Sequence, residues 1–573
     1  MILIECIAAL FSFAVALTYP LIGNRRLKKI EKRFVQFSRR RGLAILLAGV
    51  AALALRAMVL PILPVPYPWI VDEQSYLLQA DTFAHGRLTN PSHPLWTHFE
   101  SPNVIQQPTY SSMYYPAQGA FMAFGQVIAK NPFWGVWFSV GVMCAAVCWM
   151  LQGWVPPHWA LLGGLLCAIR LGAVSYWANS YFGGAVTALG GALVLGALPR
   201  IKRGRRVRDA LLLGLGFALL INSRPYETLF FSIPIFAALG VWGWRSGEGR
   251  QTALFRVAVP FAAVLTITSA FMLYFFWRTT GNAFVPPYVL NLHTYAVEPN
   301  FAWLPLRPIP QYHNEIIRRY WTEWDVRTYQ AVRAHPIVTT LFKIFMFWLF
   351  YLGPLLSIPV VGMAFARRHG TAPKKSGAKL RFLLIVCAAN LLGVLLVVPL
   401  TPLYLAPATA AIYGLIMRAM RRVRHWRVDG KPSGIFLVRA VPIAAVALLL
   451  VRVAIPIFHL PIANPGGSWT WSASWNQLLS RRQIEKQLRA LPGEHLVIVH
   501  YGAEHDPRES WVSNSADIDG SKIVWAHDMG PEQNQELLRY FRGRQAWLVE
   551  PDQHPTQIVP YKVVAGIAPE MPH

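Results

Sequence analysis

The stretch VPYPWIVDEQSYLLQADTFAHGRLTNPSHPLWTHFESPN, residues 65–103, follows directly on an apolar run over 42–64. It places Asp72 and Glu73 where an apolar helix emerges at a membrane surface. Two adjacent carboxylates there are costly to desolvate unless they are paired, metal-bound or used. Sequence neighbours cannot both point the same way, so the pair predicts one carboxylate facing a cavity and the other held by a structural partner. From Glu73 the run EQSYLLQADTFAHG has helical periodicity, with Tyr76, Ala80, Phe83 and Ala84 toward one side and Gly86 as a C-terminal stop. Asp72 then sits where an N-cap would, and capping this helix is the alternative to a chemical role.

The rest of the composition fits a membrane setting. Of the 573 residues, 54% are hydrophobic and 14% charged, whereas a soluble protein carries about a quarter charged residues. Apolar stretches near 2–23, 42–64, 131–151, 158–175, 182–199, 209–223, 227–244, 254–277, 338–366, 380–400, 401–417 and 435–458 predict about twelve crossings of about 20 residues each. Pro399 and Pro402 split the pair around 380–417, a tilted or broken hairpin. The basic clusters at 25–41, 200–208, 245–256, 367–381 and 418–439 all fall on one side of this map, which the positive-inside rule makes the cytoplasm. The net charge of +27 is then topology and contact with anionic lipid, not nucleic-acid binding. The N-terminus, residues 65–130, residues 278–337 and everything after 459 lie on the far face. Cys6, Cys144, Cys148, Cys167 and Cys387 all lie in apolar spans, so no disulfide framework is expected.

The chain divides into three parts: an N-terminal helix with its basic connection (1–41), a membrane region (42–459) with external loops 65–130 and 278–337, and an extracytoplasmic tail (460–573). In the tail, WTWSASWNQLLSRRQIEKQLRAL reads as an amphipathic helix, HLVIVHY, KIVWAHD and RQAWLVEPD as strands, and PEQNQELLRYF as a helix, together a small α/β unit with a mostly parallel sheet. Between its first two strands, HYGAEHDPRESWVSNSADID carries His505, Asp506, Arg508 and Trp511, either a ligand crevice or a loop docked on the membrane region. Arg224 in INSRPYETL lies outside the basic clusters, before a helix-breaking Pro225, where it can bind phosphate or pair with Glu227. Arg170 is a second odd charge, inside a span, with an internal partner or a snorkelling path as its alternatives.

With an apolar helix, an acidic external loop, many further spans and an exported tail, the chain resembles the GT-C superfamily of integral-membrane glycosyltransferases. VDEQSYLLQADTFAHGRLTNPSHPLWTHFES, YYPAQGAFMAFGQ and NSRPYETL are similar to bacterial members related to protein O-mannosyltransferases and aminoarabinose lipid A transferases. One departure is the extra helix at the N-terminus. The resemblance implies a bacterial inner-membrane enzyme moving a sugar from a polyprenyl-phosphate carrier to a glycan, lipid or protein acceptor on the outer face. It implies Asp72 as general base, with Glu73 beside it. Arg224, Arg307 and Arg318 become candidates for the donor phosphate, and Tyr76, His85, Tyr288, His293 and Tyr295 for substrate contact, since a sugar phosphate needs aromatic platforms beside cations. Asp72, Glu73 and His85 are candidate ligands of a divalent cation, Mg or Mn, with His93 and His98 as further nitrogen donors. The alternative is a multi-pass transporter or flippase for a lipid-linked or anionic substrate; such proteins tend to carry inverted repeats, and none is visible in the sequence.

Overall fold

A computed structural model describes residues 1–22, 24–368, 377–428, 430–460 and 479–561. Among these, eight helices are long and apolar enough to cross a membrane: Arg41–Val59, Phe133–Leu151, Ala185–Gly204, Pro225–Trp244, Gln251–Thr280, Gly377–Leu396, Pro402–Val423 and Ser433–Ile457. A ninth counts if Glu315–Ala334 and Pro336–Tyr351, bent by 111° at His335, are taken as one broken span. The expectation of twelve is not met by these criteria. The remaining stretches are helical but shorter: Ile2–Thr18 has 17 residues, Pro157–Cys167 has 11 and Val207–Ile221 has 15. The run read as one span over 338–366 is two helices, parted at Gly353, whose φ of +57° no helix interior accommodates.

The breaks shape the interior. Pro157–Cys167 runs into a wide turn over Ala168–Gly172, which carries Arg170. Arg170 is buried and resolves its two alternatives in favour of an internal partner. It pairs with Glu5 at 3.0 Å and donates to the carbonyls of Phe350 at 3.0 Å and Leu349 at 2.5 Å, tying the N-terminal helix to the end of Pro336–Tyr351. The five cysteines are free. The expected proline break is present: Gly377–Leu396 ends before Pro399, and the next span opens with a tight turn over Pro402–Ala408. There Val397 bridges Phe301, and the Val398 N–H donates to Asn300 O at 2.9 Å, so the break is stitched to the second loop.

The first loop holds the helix Val71–Ala84 and a small antiparallel sheet of β1 (Asn90–Pro91), β2 (Val104–Ile105) and β3 (Thr109–Ser112), with β3 in the middle. The tail forms β4 (His495–Val499), β5 (Ile523–His527) and β6 (Gln545–Val549), all parallel, with β4 central, as the three strand motifs predict. A further short strand, β7 (Ile558–Pro560), runs antiparallel on β6. The predicted amphipathic helix is present as Leu479–Ala490; its expected beginning lies outside the described residues.

Alternation along β4 and β5 gives this sheet two apolar faces. Leu496, Ile498, Val524 and Ala526 pack with Leu78, Phe99, Val104 and Tyr110 of the first loop. Val497, Val499, Ile523 and Trp525 pack with Ile484, Leu488 and Trp511, and Tyr67 and Trp69 close against them. A parallel sheet needs both faces covered, and here the first loop supplies one cover. Polar contacts follow the same seam: Gln74 donates to Ser510 O at 2.5 Å, Trp69 Nε1 to Glu509 at 3.0 Å, and the Ala516 N–H to Asp81 at 2.8 Å. Of the two readings of the 500–519 segment, docking on the membrane region is therefore observed.

Candidate functional site

Ile70 is the N-cap of Val71–Ala84, which makes Asp72 the second residue of the helix and Glu73 the third. Asp72 does not cap the helix, a correction to the capping alternative. Glu73 takes that role: its Oε2 accepts the Trp69 N–H at 2.9 Å and the Ile70 N–H at 3.5 Å, reaching backwards as a third-position glutamate does. Its Oε1 accepts the Tyr181 N–H at 2.9 Å. Both oxygens of Glu73 are thus committed to backbone donors, and burial pushes its carboxyl up to about 7 against their pull. This side chain positions its neighbour and does not line the cavity that Asp72 faces. Glu73→Gln leaves one N–H facing an NH₂ group, and an unmet buried donor of this kind costs about 1–3 kcal/mol. The expected outcome is a lower melting temperature, measured on the purified protein.

Asp72 points the other way, into a cavity of about 430 Å³. Tyr114 donates its hydroxyl to Asp72 Oδ1, and Tyr76 stacks behind Tyr114 with ring centroids 4.2 Å apart. Burial raises the Asp72 carboxyl above the ordinary range, while the Tyr114 hydrogen bond and the Arg224 charge draw it back. The same cavity is lined by Arg224 from the break before Pro225–Trp244, by Tyr288 from the second loop, and by Thr401 and Tyr404 from the proline break. The Arg224 guanidinium sits 5.0 Å from the Tyr404 ring centroid. It makes no ion pair within 4.0 Å and no side-chain hydrogen bond among the described residues; Glu227 acts on it through its charge without touching it. Arg224 also borders a smaller cavity, about 140 Å³, whose wall includes Glu227.

Asp72, Arg224 and Tyr288 are therefore brought together; the other candidates are not. His85 is the C-cap residue of Val71–Ala84, bonded to Asp81 O at 2.8 Å, about 20 Å along the helix from Asp72. Asp72, Glu73 and His85 cannot meet around one ion, which corrects the metal-ligand set. His93 and His98 are taken up by the docking seam, His93 with Asp519 at 3.1 Å and His98 with His527 O at 3.3 Å. Among the described residues no group of three or more His, Cys, Asp or Glu side chains is placed to hold a metal ion. His85→Ala is expected to change stability by no more than about 0.5 kcal/mol in a denaturant melt, since surface side chains away from buried networks change little.

Arg318 is half-exposed and held by Glu315 at 2.6 Å and Glu323 at 3.0 Å, outside the Asp72 cavity. Arg307 donates to Leu292 O at 2.8 Å and also lies off the cavity. Tyr295 is bonded to Glu100 at 3.0 Å, and His293 is exposed. Both Arg307 and Arg318 are accounted for as structural, a correction to their assignment to the donor phosphate. Tyr76, His293 and Tyr295 likewise do not line the cavity.

The cavity holds groups that the sequence reading does not single out. Glu298 and Asp325, both from the second loop, line it, and so do Trp321 and Trp324. Their signal is present in the sequence: they are the only acidic residues of 278–337 besides Glu315 and Glu323, and Asp325 comes directly after the aromatic run YWTEW. From the docked segment comes Arg508, paired with Asp506 and 5.8 Å from the ring centroids of both Trp69 and Trp324.

No family model matches the sequence, and no curated protein matches it. Several solved structures are similar. The crystal structure of ArnT from Cupriavidus metallidurans bound to undecaprenyl phosphate is 10% identical with a TM-score of 0.48, covering 89% of this chain and 92% of that one. The oligosaccharyltransferase of Archaeoglobus fulgidus, in complex with Zn and sulfate, is 12% identical with a TM-score of 0.44, over 88% of this chain and 67% of that one. The archaeal oligosaccharyltransferase AglB from Archaeoglobus fulgidus with an inhibitory peptide and a dolichol-phosphate is 11% identical with a TM-score of 0.40, over 90% and 70%. All three likenesses lie at identities of 10–12% and TM-scores below 0.5.

Proposed function

We propose that the chain is a membrane glycosyltransferase that moves a sugar from a polyprenyl-phosphate carrier to a glycan, lipid or protein acceptor on the extracytoplasmic face of a bacterial inner membrane. The observation that carries this reading is the pairing, across one cavity, of a half-buried carboxyl and a guanidinium without an ion-pair partner, Asp72 and Arg224. The reaction needs both. An acceptor hydroxyl or amine attacks the anomeric carbon and must lose its proton, which Asp72 takes. The bond from that carbon to the phosphate oxygen breaks, and polyprenyl phosphate leaves with the negative charge that Arg224 faces. Attack and departure on opposite sides of the ring give inversion. Among the described residues the candidate metal ligands Asp72, Glu73 and His85 do not converge. On the predicted map all five basic clusters fall on one side, which supports reading this cavity as lying on the far face.

The test is transfer of radiolabelled sugar by the purified chain from a panel of polyprenyl-phosphate monosaccharides to cell-envelope acceptors. Label moving from one donor is the expected result. If no donor is consumed while the protein carries lipid-linked sugar across vesicles, and Asp72→Asn transports as well as wild type, transport replaces transfer.

A further inference from the structure

Proton transfer to Asp72 and phosphate departure toward Arg224 leave two acids of the cavity without a task. Glu298 is 5% exposed and follows the helix Pro287–Tyr295; Asp325 opens the helix Asp325–Ala334. The two carboxyls line one cavity and act on each other electrostatically. Burial, and then the charge of Asp325, hold Glu298 in its protonated form. Glu298 Oε2 is buried with no donor among the described residues. Asp325, half-buried in the same cavity wall, accepts no side-chain hydrogen bond from another described residue. Lys343, whose charge acts on Glu298, donates from its ammonium to Val397 O.

Acceptors without donors in a dry site are costly, and native proteins keep few of them. A pair that rested on packing alone would be cheaper as apolar residues. What would satisfy these oxygens is a ligand that donates hydrogen bonds, and the surroundings narrow its kind. Trp321, Trp324 and Tyr288 stand around the pair in the same cavity wall, and flat aromatic faces beside carboxylates suit the apolar faces and the hydroxyl edge of a sugar ring. Asp72, which takes the acceptor's proton in the proposed reaction, lines the same cavity.

Building on the glycosyltransferase reading, we propose that Glu298 and Asp325 form the subsite that reads the transferred sugar, accepting hydrogen bonds from its ring hydroxyls or from an ammonium in a hydroxyl's place. The lipid phosphate is bound elsewhere in the cavity, at Arg224. Sugar choice is therefore separable from carrier choice. Glu298 and Asp325 decide which monosaccharide is accepted, and their replacement leaves affinity for the bare carrier intact.

The experiment measures binding of polyprenyl-phosphate sugars and of bare polyprenyl phosphate to the whole chain through tryptophan fluorescence, for wild type, Glu298→Met and Glu298→Gln. Met nearly matches Glu in size and has no oxygen acceptor, whereas Gln keeps one acceptor oxygen. In wild type the sugar-bearing lipid binds tighter than the bare one, and removing one ring hydroxyl at the read position costs roughly ten- to a hundredfold, the range of a hydrogen bond involving a charged partner. Glu298→Met loses the increment from the sugar and no longer distinguishes the deoxy donor, Glu298→Gln recovers part of it, and bare-carrier affinity stays constant. A loss confined to an amino sugar assigns the ammonium as the group that is read; a loss with neutral sugars assigns hydroxyls. The proposal is overturned if no deoxygenation costs wild type anything, if Glu298→Met keeps the increment, or if it loses bare-carrier binding equally. The wild-type deoxy series decides the matter even where a variant does not fold. Sugar-dependent binding without any transfer would sink the transferase reading and leave the subsite; transfer with an undiminished increment in Glu298→Met would do the reverse.

Discussion

Asp72→Asn is expected to lower the rate of sugar transfer by about two orders of magnitude or more, the range lost with a positioned general base. Asparagine keeps the size of the side chain, and its carbonyl oxygen still accepts the Tyr114 hydroxyl that Asp72 Oδ1 accepts now. The helix start does not depend on it, because Glu73 holds the Trp69 and Ile70 N–H groups. Melting temperature and affinity for the lipid phosphate should therefore stay near wild type while turnover falls. The pH profile gives a second readout. The base works deprotonated, and burial raises the Asp72 carboxyl, so activity is lost as pH falls through a value above the ordinary carboxylate range. That acidic limb disappears in the residual activity of Asp72→Asn. A variant that retains full turnover, or that loses it only by unfolding, would exclude Asp72 as the base.

What was legible in the sequence depended on how local the cause was. The division of labour between Asp72 and Glu73 follows from their adjacency alone, and the structure shows it, with one carboxyl turned to the cavity and the other spent on backbone N–H groups. Arg224 was visible because a cation beside a helix-breaking proline stands out in an apolar context. The three parallel strands were visible because short β-branched and aromatic runs bounded by turn residues leave few other readings. The crossing count was less legible: Gly353 and the turn at Ala168–Gly172 cut apolar runs without changing their composition. Long-range partners were the least legible. Nothing in the surroundings of Glu298 announces Asp325, 27 positions later, and nothing near Trp69 announces Glu509. Arg318 misleads for a different reason: its charge is plain in the sequence, but its neutralisation by Glu315 and Glu323 shows only once the helical turns that bring them beside it are in place.

Arg224→Ala is expected to reduce transfer by roughly a hundred- to a thousandfold, the loss seen when a donor aimed at developing charge is removed. The wild-type guanidinium faces the cavity with its hydrogen-bonding edge unused by the described residues and with Tyr404 against its face. A cation held this way is ready for an anion and gives the fold little through ion pairing, so its removal should cost activity far more than stability. Affinity for bare polyprenyl phosphate should weaken together with the rate, because the phosphate carries charge before the sugar leaves as well as after. Arg224→Lys separates charge from shape: an ammonium restores the point charge and part of the affinity, while the two-pronged contact with a phosphate is absent and the rate stays below wild type. The opposite pattern, a lowered melting temperature with unchanged carrier affinity, would make Arg224 a support for the helix break at Pro225 and would move the phosphate to another cation of the cavity. Arg508 is the one that remains there, and its pairing with Asp506 sets the comparison: a guanidinium already neutralised by a carboxylate has less charge to offer a leaving phosphate than one without such a partner.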